Sequence, residues 1–279
     1  MADTRPSIAD KRRTFRRLHE DGCFVIPNPW DVGSARFLQG LGFKALATTS
    51  SGFAWSQGRP DNGISRDMAL AHLRDIVAAT DLPVNADFES GFAVDAAGVA
   101  ESVRLAVGTG VAGLSIEDST GDAARPLYEL SVAVERIRAA RAAIDQTGGD
   151  TLLVGRAECF FVGRPDLGEA IERLKAYAHA GADCLYAPGI RTREQITAVV
   201  AAVAPKPVNL LVGSTTDLTM QDISALGVRR VSVGGALARS AWGGFIRAAR
   251  LIAEQGKFDG FANAASGNEL NAFFAGDLK

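Results

Sequence analysis

The stretch VNADFESG, residues 84–91, starts as an apolar strand and ends in acid. Val84 and Ala86 are small and apolar, yet Asn85, Asp87 and Glu89 put an amide and two carboxylates where a core strand should stop. The pattern recurs. Glu117 and Asp118 close the run GLSIED, and Arg156 and Glu158 close LLVGRAE. An isolated carboxylate inside a protein is costly, and several together repel unless a cation joins them. Oxygen donors without clustered His or Cys suit Mg2+ or Mn2+ rather than zinc. Taken singly, each acid reads better as a helix cap or an arginine partner; Asp87, Glu117, Asn85 and Asp61 taken as a set point to a divalent ion. Arg156 can grip the carboxylate of an anionic substrate in a bidentate fork, or pair internally with Glu158 or Glu117. The hydroxyls of TTSSG (48–52) suit a carbonyl or carboxylate oxygen.

These residues sit at the ends of a repeated unit. Eight candidate strands appear: FVIPNP from Phe24, ALATTS (45–50), VNADF (84–88), GLSIED (113–118), LLVGRAE (152–158), CLYAP (184–188), PVNLLVG (207–213) and RRVSVGG (229–235). Between them lie amphipathic stretches such as SVAVERIRAARAAI (131–144), with apolar residues three and four apart. Helix-ending glycines precede several strands, as in GLGFKAL and HAGADCL. Eight such units predict a single α/β domain over residues 1–279, a (β/α)8 TIM barrel with a C-terminal helical extension. An open doubly wound sheet fits less well, because the first turn, PNPWDVGSAR, lacks G-x-G-x-x-G. In a barrel, chemistry gathers at the C-terminal strand ends, which brings the acids, Arg156 and the hydroxyls to one face.

Composition narrows the class. The chain has 279 residues, 47% hydrophobic, with a net charge of −2, so there is no basic field for nucleic acid or an anionic membrane. Cys23, Cys159 and Cys184 lack metal-type spacing and fit a reducing compartment. The polar N-terminus does not read as a signal peptide, and no run approaches a membrane span, so a cytoplasmic protein is expected. His19, His72 and His179 fall in helical stretches. A Schiff-base barrel would need a lysine at the top of an inner strand. Lys44 and Lys206 precede strands, while Lys11, Lys175, Lys257 and Lys279 fall on helices or at the ends. A phosphate-ester reading would use VGSTTD and VGGALARS after strands seven and eight.

WDVGSAR, GFKALATTSSG, GRPD, VNADFESGF, GLSIEDS and GRAE together resemble the isocitrate lyase/phosphoenolpyruvate mutase superfamily over nearly the whole chain. The resemblance implies Mg2+, an α-oxo-carboxylate substrate or product, and homodimers that exchange the eighth helix, often paired into homotetramers. It casts Asp87 and Glu117 as metal-site acids and Asp61 as an acid reaching the metal through water. Arg156 becomes the carboxylate-binding arginine, Thr49, Ser50 and Ser51 the oxo-acid cradle, and Asn209 a strand-seven site residue. Trp30, at the end of strand one, is a further candidate for substrate contact.

Two departures stand out. Asn85 occupies a position where the family usually carries an aspartate that ligates the metal. The loop DSTGDAARPLYE (118–129) lacks the Lys-x-Cys-Gly-His of the carbon–carbon lyases, and also the lysine and asparagine of the phosphonopyruvate-handling members. The expected function is a Mg2+-dependent lyase that cleaves or decarboxylates an α-oxo- or 2-hydroxy-carboxylate through a stabilised enolate. The alternatives are a phosphonopyruvate/PEP-type hydrolase or mutase, and a catalytically silent oxo-acid-binding barrel. The segment 119–128 is expected to be a mobile gate that carries Arg125, as a carboxylate ligand, and Tyr128, as a proton donor, over the site.

Overall fold

A computed structural model of the chain describes residues 5–276. Lys279 and both ends of the domain drawn over 1–279 lie outside the described residues. All eight strands form: β1 (Phe24–Ile26), β2 (Leu46–Ala47), β3 (Val84–Asp87), β4 (Gly113–Glu117), β5 (Leu152–Arg156), β6 (Cys184–Tyr186), β7 (Val208–Leu211) and β8 (Arg230–Ser232). They are shorter than the sequence runs because the polar residues closing each run turn into the following loop. Every neighbouring pair is parallel, in the order β1-β8-β7-β6-β5-β4-β3-β2. Between β1 and β2 the amide of Ala47 donates to Pro27 O at 3.0 Å, so the cylinder is nearly closed.

Around the strands run α1 (Ile8–Leu18), α2 (Val32–Gly40), α3 (Ser50–Ser56), α4 (Arg66–Ala79), α5 (Ala96–Val107), α6 (Leu130–Gln146), α7 (Leu167–His179), α8 (Arg193–Val203), α9 (Met220–Ala225), α10 (Ala236–Gln255) and α11 (Gly267–Ala275). Short polar residues start them. Asp31, Thr49, Ser65, Asp95, Asp166, Thr192 and Thr219 each accept a backbone N–H of the first turn, satisfying donors the helix cannot satisfy itself. Asp31, one of the polar residues after the first strand, is thereby a cap, accepting Ser34 N at 2.7 Å.

The main core lies between strands and helices, where Leu114, Leu153, Leu185 and Val231 meet helix residues such as Ile137, Leu174 and Val199. A smaller cluster fills the barrel's N-terminal end, where Phe15 of α1 packs on Phe24, Ile26, Ala112 and Leu152. Above it lies a buried polar layer of Asn85, Ser115, Asn209, Arg230 and Ser232. Gly113 lets the two layers meet: a Cβ there would stand 2.6 Å from Phe15 Cε1 and 2.8 Å from Asn85 Oδ1. Gly113→Ala should therefore destabilise the fold by about 1–3 kcal/mol, the usual range for overpacking, read as a lower denaturant midpoint.

The C-terminal helix α10 departs from this economy. Only Ala238 of its twenty residues is buried, while Trp242, Phe245 and Ile246 face outward. The C-terminal helical extension beyond α10 consists of a short 3-10 turn (Asp259–Phe261) followed by α11. No helix among the described residues is long and apolar enough to cross a membrane.

Candidate active site

The C-terminal strand ends surround a cavity of about 760 Å3. Alternate residues of a strand share a face, so Asn85 with Asp87, Ser115 with Glu117, and Arg230 with Ser232 all line it, joined by Arg156, Glu158 and Tyr186. Thr49, Ser50, Ser51 and Asp61 line it too, as the sequence predicts.

At its centre is Arg156. Nη1 donates to Asp87 Oδ1 at 2.6 Å, Nη2 pairs with Glu117 Oε2 at 3.1 Å, and Nε donates to Glu158 Oε1 at 2.9 Å. Its guanidinium carbon lies 5.0 Å from the centre of the Tyr186 ring. Burial opposes the arginine's charge, but Glu158, Glu117 and Asp87 hold its pKa well above the ordinary value. Both readings of Arg156 therefore meet in one residue. Two of its five N–H donors are hydrogen-bonded to Glu158 and Asp87, and Nη2 pairs with Glu117 by charge, so N–H groups of the terminal nitrogens remain without a hydrogen bond to a carboxylate among the described residues.

Asp87 is fixed from the other side as well. Its Oδ2 accepts from both Ser50 N and Ser50 Oγ at 2.9 Å, and its own amide donates to Thr48 Oγ1 at 2.9 Å. Thr49 caps α3, and its hydroxyl lies 3.1 Å from that of Ser51. The TTSSG turn thus positions an acid and still presents hydroxyls to the cavity.

The mouth carries more acid than one arginine neutralises. Burial raises the pKa of Glu117 well above the usual carboxylate value and also raises that of Glu158. Burial and then Asp87 raise Asp61. Glu89 is pushed up to about 8 by burial, then by Asp87 and Asp61. Its Oε1 is buried without a partner, and its backbone is left-handed at φ 47°. An orphaned carboxylate oxygen beside surplus negative charge fits a hard divalent cation. Among the described residues, however, no three His, Cys, Asp or Glu side chains are grouped to cage a metal. The donor set therefore fits a hydrated Mg2+, which keeps several waters and needs only one or two carboxylates besides substrate oxygens. Asn85, expected near the metal, is turned elsewhere: its Oδ1 accepts from Arg230 Nη1 at 3.3 Å.

The structure places the remaining candidates away from the cavity or at its edge. Asn209 is fully buried below the cavity, accepting from Arg230 Nε at 2.8 Å and donating to Ser232 Oγ at 2.9 Å. Trp30 does not line the cavity; Trp55 of α3 does. The segment expected to be a mobile gate is a braced hairpin beside the cavity. Ser119 bridges Leu127, and Thr120 N donates to Pro126 O at 3.0 Å. Of its residues, Ser119 alone lines the cavity. Arg125 points to solvent, 87% exposed and 3.7 Å from Asp122. Tyr128 packs away from the site, its ring 4.1 Å from the guanidinium carbon of Arg136. That cation–π contact sets the ring against α6, and Tyr128 is not among the residues that line the cavity. Tyr128→Phe and Arg125→Ala should accordingly leave kcat and KM unchanged in a steady-state assay.

No cysteine, histidine or lysine of the described residues lines the cavity. Cys159 is buried, its thiol pushed up to about 12 chiefly by burial. Sequence reading passed over Arg230, Tyr186, Arg191 and Arg239, which do line it. For Arg230 a signal existed: in RRVSV only one of two adjacent arginines can share the face of Ser232, and period-two alternation selects the second.

The family model for phosphoenolpyruvate phosphomutase matches residues 15–253. A crystal structure from Burkholderia cenocepacia J2315, provisionally named a lyase/mutase, is 49% identical with a TM-score of 0.93, covering 96% of this chain and 97% of that one. The 2-methylisocitrate lyase of Escherichia coli K12 is 35% identical over 191 residues, 66% of this chain and 64% of the lyase. The oxaloacetate decarboxylase of Rhodopseudomonas palustris BisB18 is 31% identical over 221 residues, 76% of this chain and 74% of the decarboxylase.

Proposed function

The chain belongs to the isocitrate lyase/phosphoenolpyruvate mutase superfamily, and from that premise we propose that it is a carbon–carbon lyase that decarboxylates or cleaves an α-oxo- or 2-hydroxy-carboxylate. The observation that carries this reading is the Arg156 cluster, one guanidinium held by Asp87, Glu117 and Glu158 in a hydroxyl-lined cavity. Relatives named for oxaloacetate decarboxylation and 2-methylisocitrate cleavage support the reaction class.

Mg2+ would be held by Asp87 and Glu117, with Asp61 and Glu89 nearby, and when bound it supplies positive charge to the two oxygens of an oxo-carboxylate as an enolate develops. The chain's own residues do the positioning. Ser50 and Arg156 hold Asp87 between them, and the free N–H groups of Arg156 and the hydroxyls of Thr49 and Ser51 orient substrate oxygens. Tyr186 keeps its phenolic proton, since burial pushes it up to about 12.

Decarboxylation is the better-supported branch. Retro-aldol cleavage leaves a carbanion that needs a positioned acid, and no thiol or imidazole of the described residues faces the cavity. Loss of CO2 from a β-carboxylate leaves an enolate that solvent can protonate. A panel of oxo-diacids and 2-hydroxy di- and tricarboxylates, assayed with Mg2+ and with EDTA, tests this. Metal-dependent release of CO2 from an oxo-diacid is expected; no product from any member would reject the reading.

The face of α10 supports a homodimer or homotetramer. Its outward Trp242, Phe245 and Ile246, with Phe258 and Phe261 beyond them, form an apolar surface that the family resemblance assigns to a second copy exchanging this helix. Light scattering at micromolar concentration should give a dimer or tetramer, and Phe245→Asp should shift it toward monomer.

A further inference from the structure

Of the four arginines that line the cavity, Arg191 and Arg239 are exposed, and the other two stand in opposite electrostatic settings. Arg156 is ringed by three carboxylates. Arg230, only 2% exposed, touches none. Its Nε donates to Asn209 Oδ1 at 2.8 Å, and its Nη1 donates to Asn85 Oδ1 at 3.3 Å and lies 3.4 Å from His19 Nε2. Each of these partners is neutral. Burial, then Arg230 itself, pushes His19 down to about 3, so the imidazole carries no charge near neutral pH. Burial also lowers the arginine's own pKa, but a guanidinium does not lose its proton in a protein.

A buried cation with only neutral partners carries a solvation deficit that an anion would relieve. Arg230 has access to one. It lines the cavity, and its hydrogen bonds among the described residues run from Nε and Nη1, none from Nη2. Around it at the same depth, Asn85, Ser115 and Ser232 are uncharged hydrogen-bonding groups. The cavity is therefore bipolar, with acids at the mouth and an unopposed positive charge beneath.

We infer that Arg230 is a carboxylate-binding residue of this site: its Nη2 edge takes one carboxylate of the ligand, while the amides of Asn85 and Asn209 hold the guanidinium in place without cancelling its charge. The inference rests on the oxo-acid reading above and names the group that would receive the acid. It also gives a physical reason for the amide at position 85. An aspartate there would pair with Arg230 and neutralise the one buried guanidinium lining the cavity that no carboxylate among the described residues pairs with.

The test is calorimetric binding of oxalate, with EDTA present to exclude any metal. Wild type should bind. Asn85→Asp, which keeps the arginine but supplies an internal counter-ion, should weaken binding at least about 30-fold, the lower end for unpairing a buried charge. Arg230→Met should do the same, and Arg230→Lys should retain part of the affinity. In a bromide-soaked crystal an anomalous peak should lie against Nη2. If Arg230→Met does not fold, Asn85→Asp alone decides. Unchanged affinity in Asn85→Asp, or oxalate binding that appears only when Mg2+ replaces EDTA, overturns the inference and leaves the oxo-acid reading standing. A wild type that binds oxalate under neither condition overturns both.

Discussion

Replacing Arg156 with glutamine should abolish measurable turnover and destabilise the protein by about 3–5 kcal/mol at neutral pH, the range for removing one partner of a buried ion pair. Asp87, Glu117 and Glu158 would lose their shared cation, and two of them are only 11% and 5% exposed at the side chain. The loss should depend on pH. Burial already raises Glu117 and Glu158. An acid whose folded pKa is raised contributes stability below its unfolded value, and that contribution disappears as pH rises through the folded value. The variant should therefore be least impaired near pH 5, where these carboxyls can stay protonated, and most impaired near pH 8. Thermal unfolding of both proteins across that range checks it. Equal midpoint losses at the two ends, or retained turnover, would count against the cluster as the centre of the site. Arg156→Lys should fall between, since one ammonium cannot reproduce a planar fork aimed at three acids.

Glu89→Gln should do the opposite to stability. The carboxyl is pushed from 4.5 to about 8 in the folded chain, so its contribution is present below pH 4.5 and is lost as pH rises through about 8. At pH 9 the wild type carries a buried carboxylate facing Asp87 and Asp61, with one oxygen unpartnered. Removing that charge should stabilise the protein by on the order of 3 kcal/mol, or roughly 6 °C in Tm for a chain of this size. At pH 4 the two proteins should melt together. If the carboxylate helps hold a divalent ion, activity should fall in the same variant, and Mg2+ should narrow the gap in Tm by stabilising the wild type. Identical melting at pH 9 without metal would show that Glu89 is not under the strain its setting implies.

The barrel was legible because its signals are local. Each strand is a short apolar run ended by polar residues and followed by a capped helix, and all eight appear within the expected windows. Asp87, Glu117, Arg156 and the TTSSG hydroxyls could likewise be found at strand ends, because position along a strand fixes height in the barrel. What sequence spacing does not encode is which long side chain reaches which partner. Tyr128 lies in the loop after β4, as expected, but Arg136, two turns into α6, claims its ring. Asn85 and Asn209 are inward-facing residues, yet both are engaged by an arginine from β8, more than a hundred residues after Asn85. Such pairings are set by barrel closure, which one chain read alone does not display. The exposed face of α10 was hidden for the same reason: an apolar helix reads alike whether its partner is its own barrel or another.

Arg136 also bears on how this scaffold can be altered. Its guanidinium donates to the carbonyls of Ser90, Ala93 and Val94 while stacking on Tyr128, so it pins the stretch that holds Glu89 and Phe92 in left-handed backbone. Upstream of the hairpin, Asp118 is anchored by Arg173 at 3.1 Å and by the Tyr177 hydroxyl at 2.5 Å. Of the residues between these two moorings, Leu127 is buried against Cys159 and Ala170, while 119–126 touch the cavity only through Ser119. Residues 120–126 form a replaceable cassette. Segments of other length or chemistry can be grafted between Ser119 and Leu127 to change what is carried over the cavity, while Leu127, the acids, Arg156 and the barrel beneath keep their geometry.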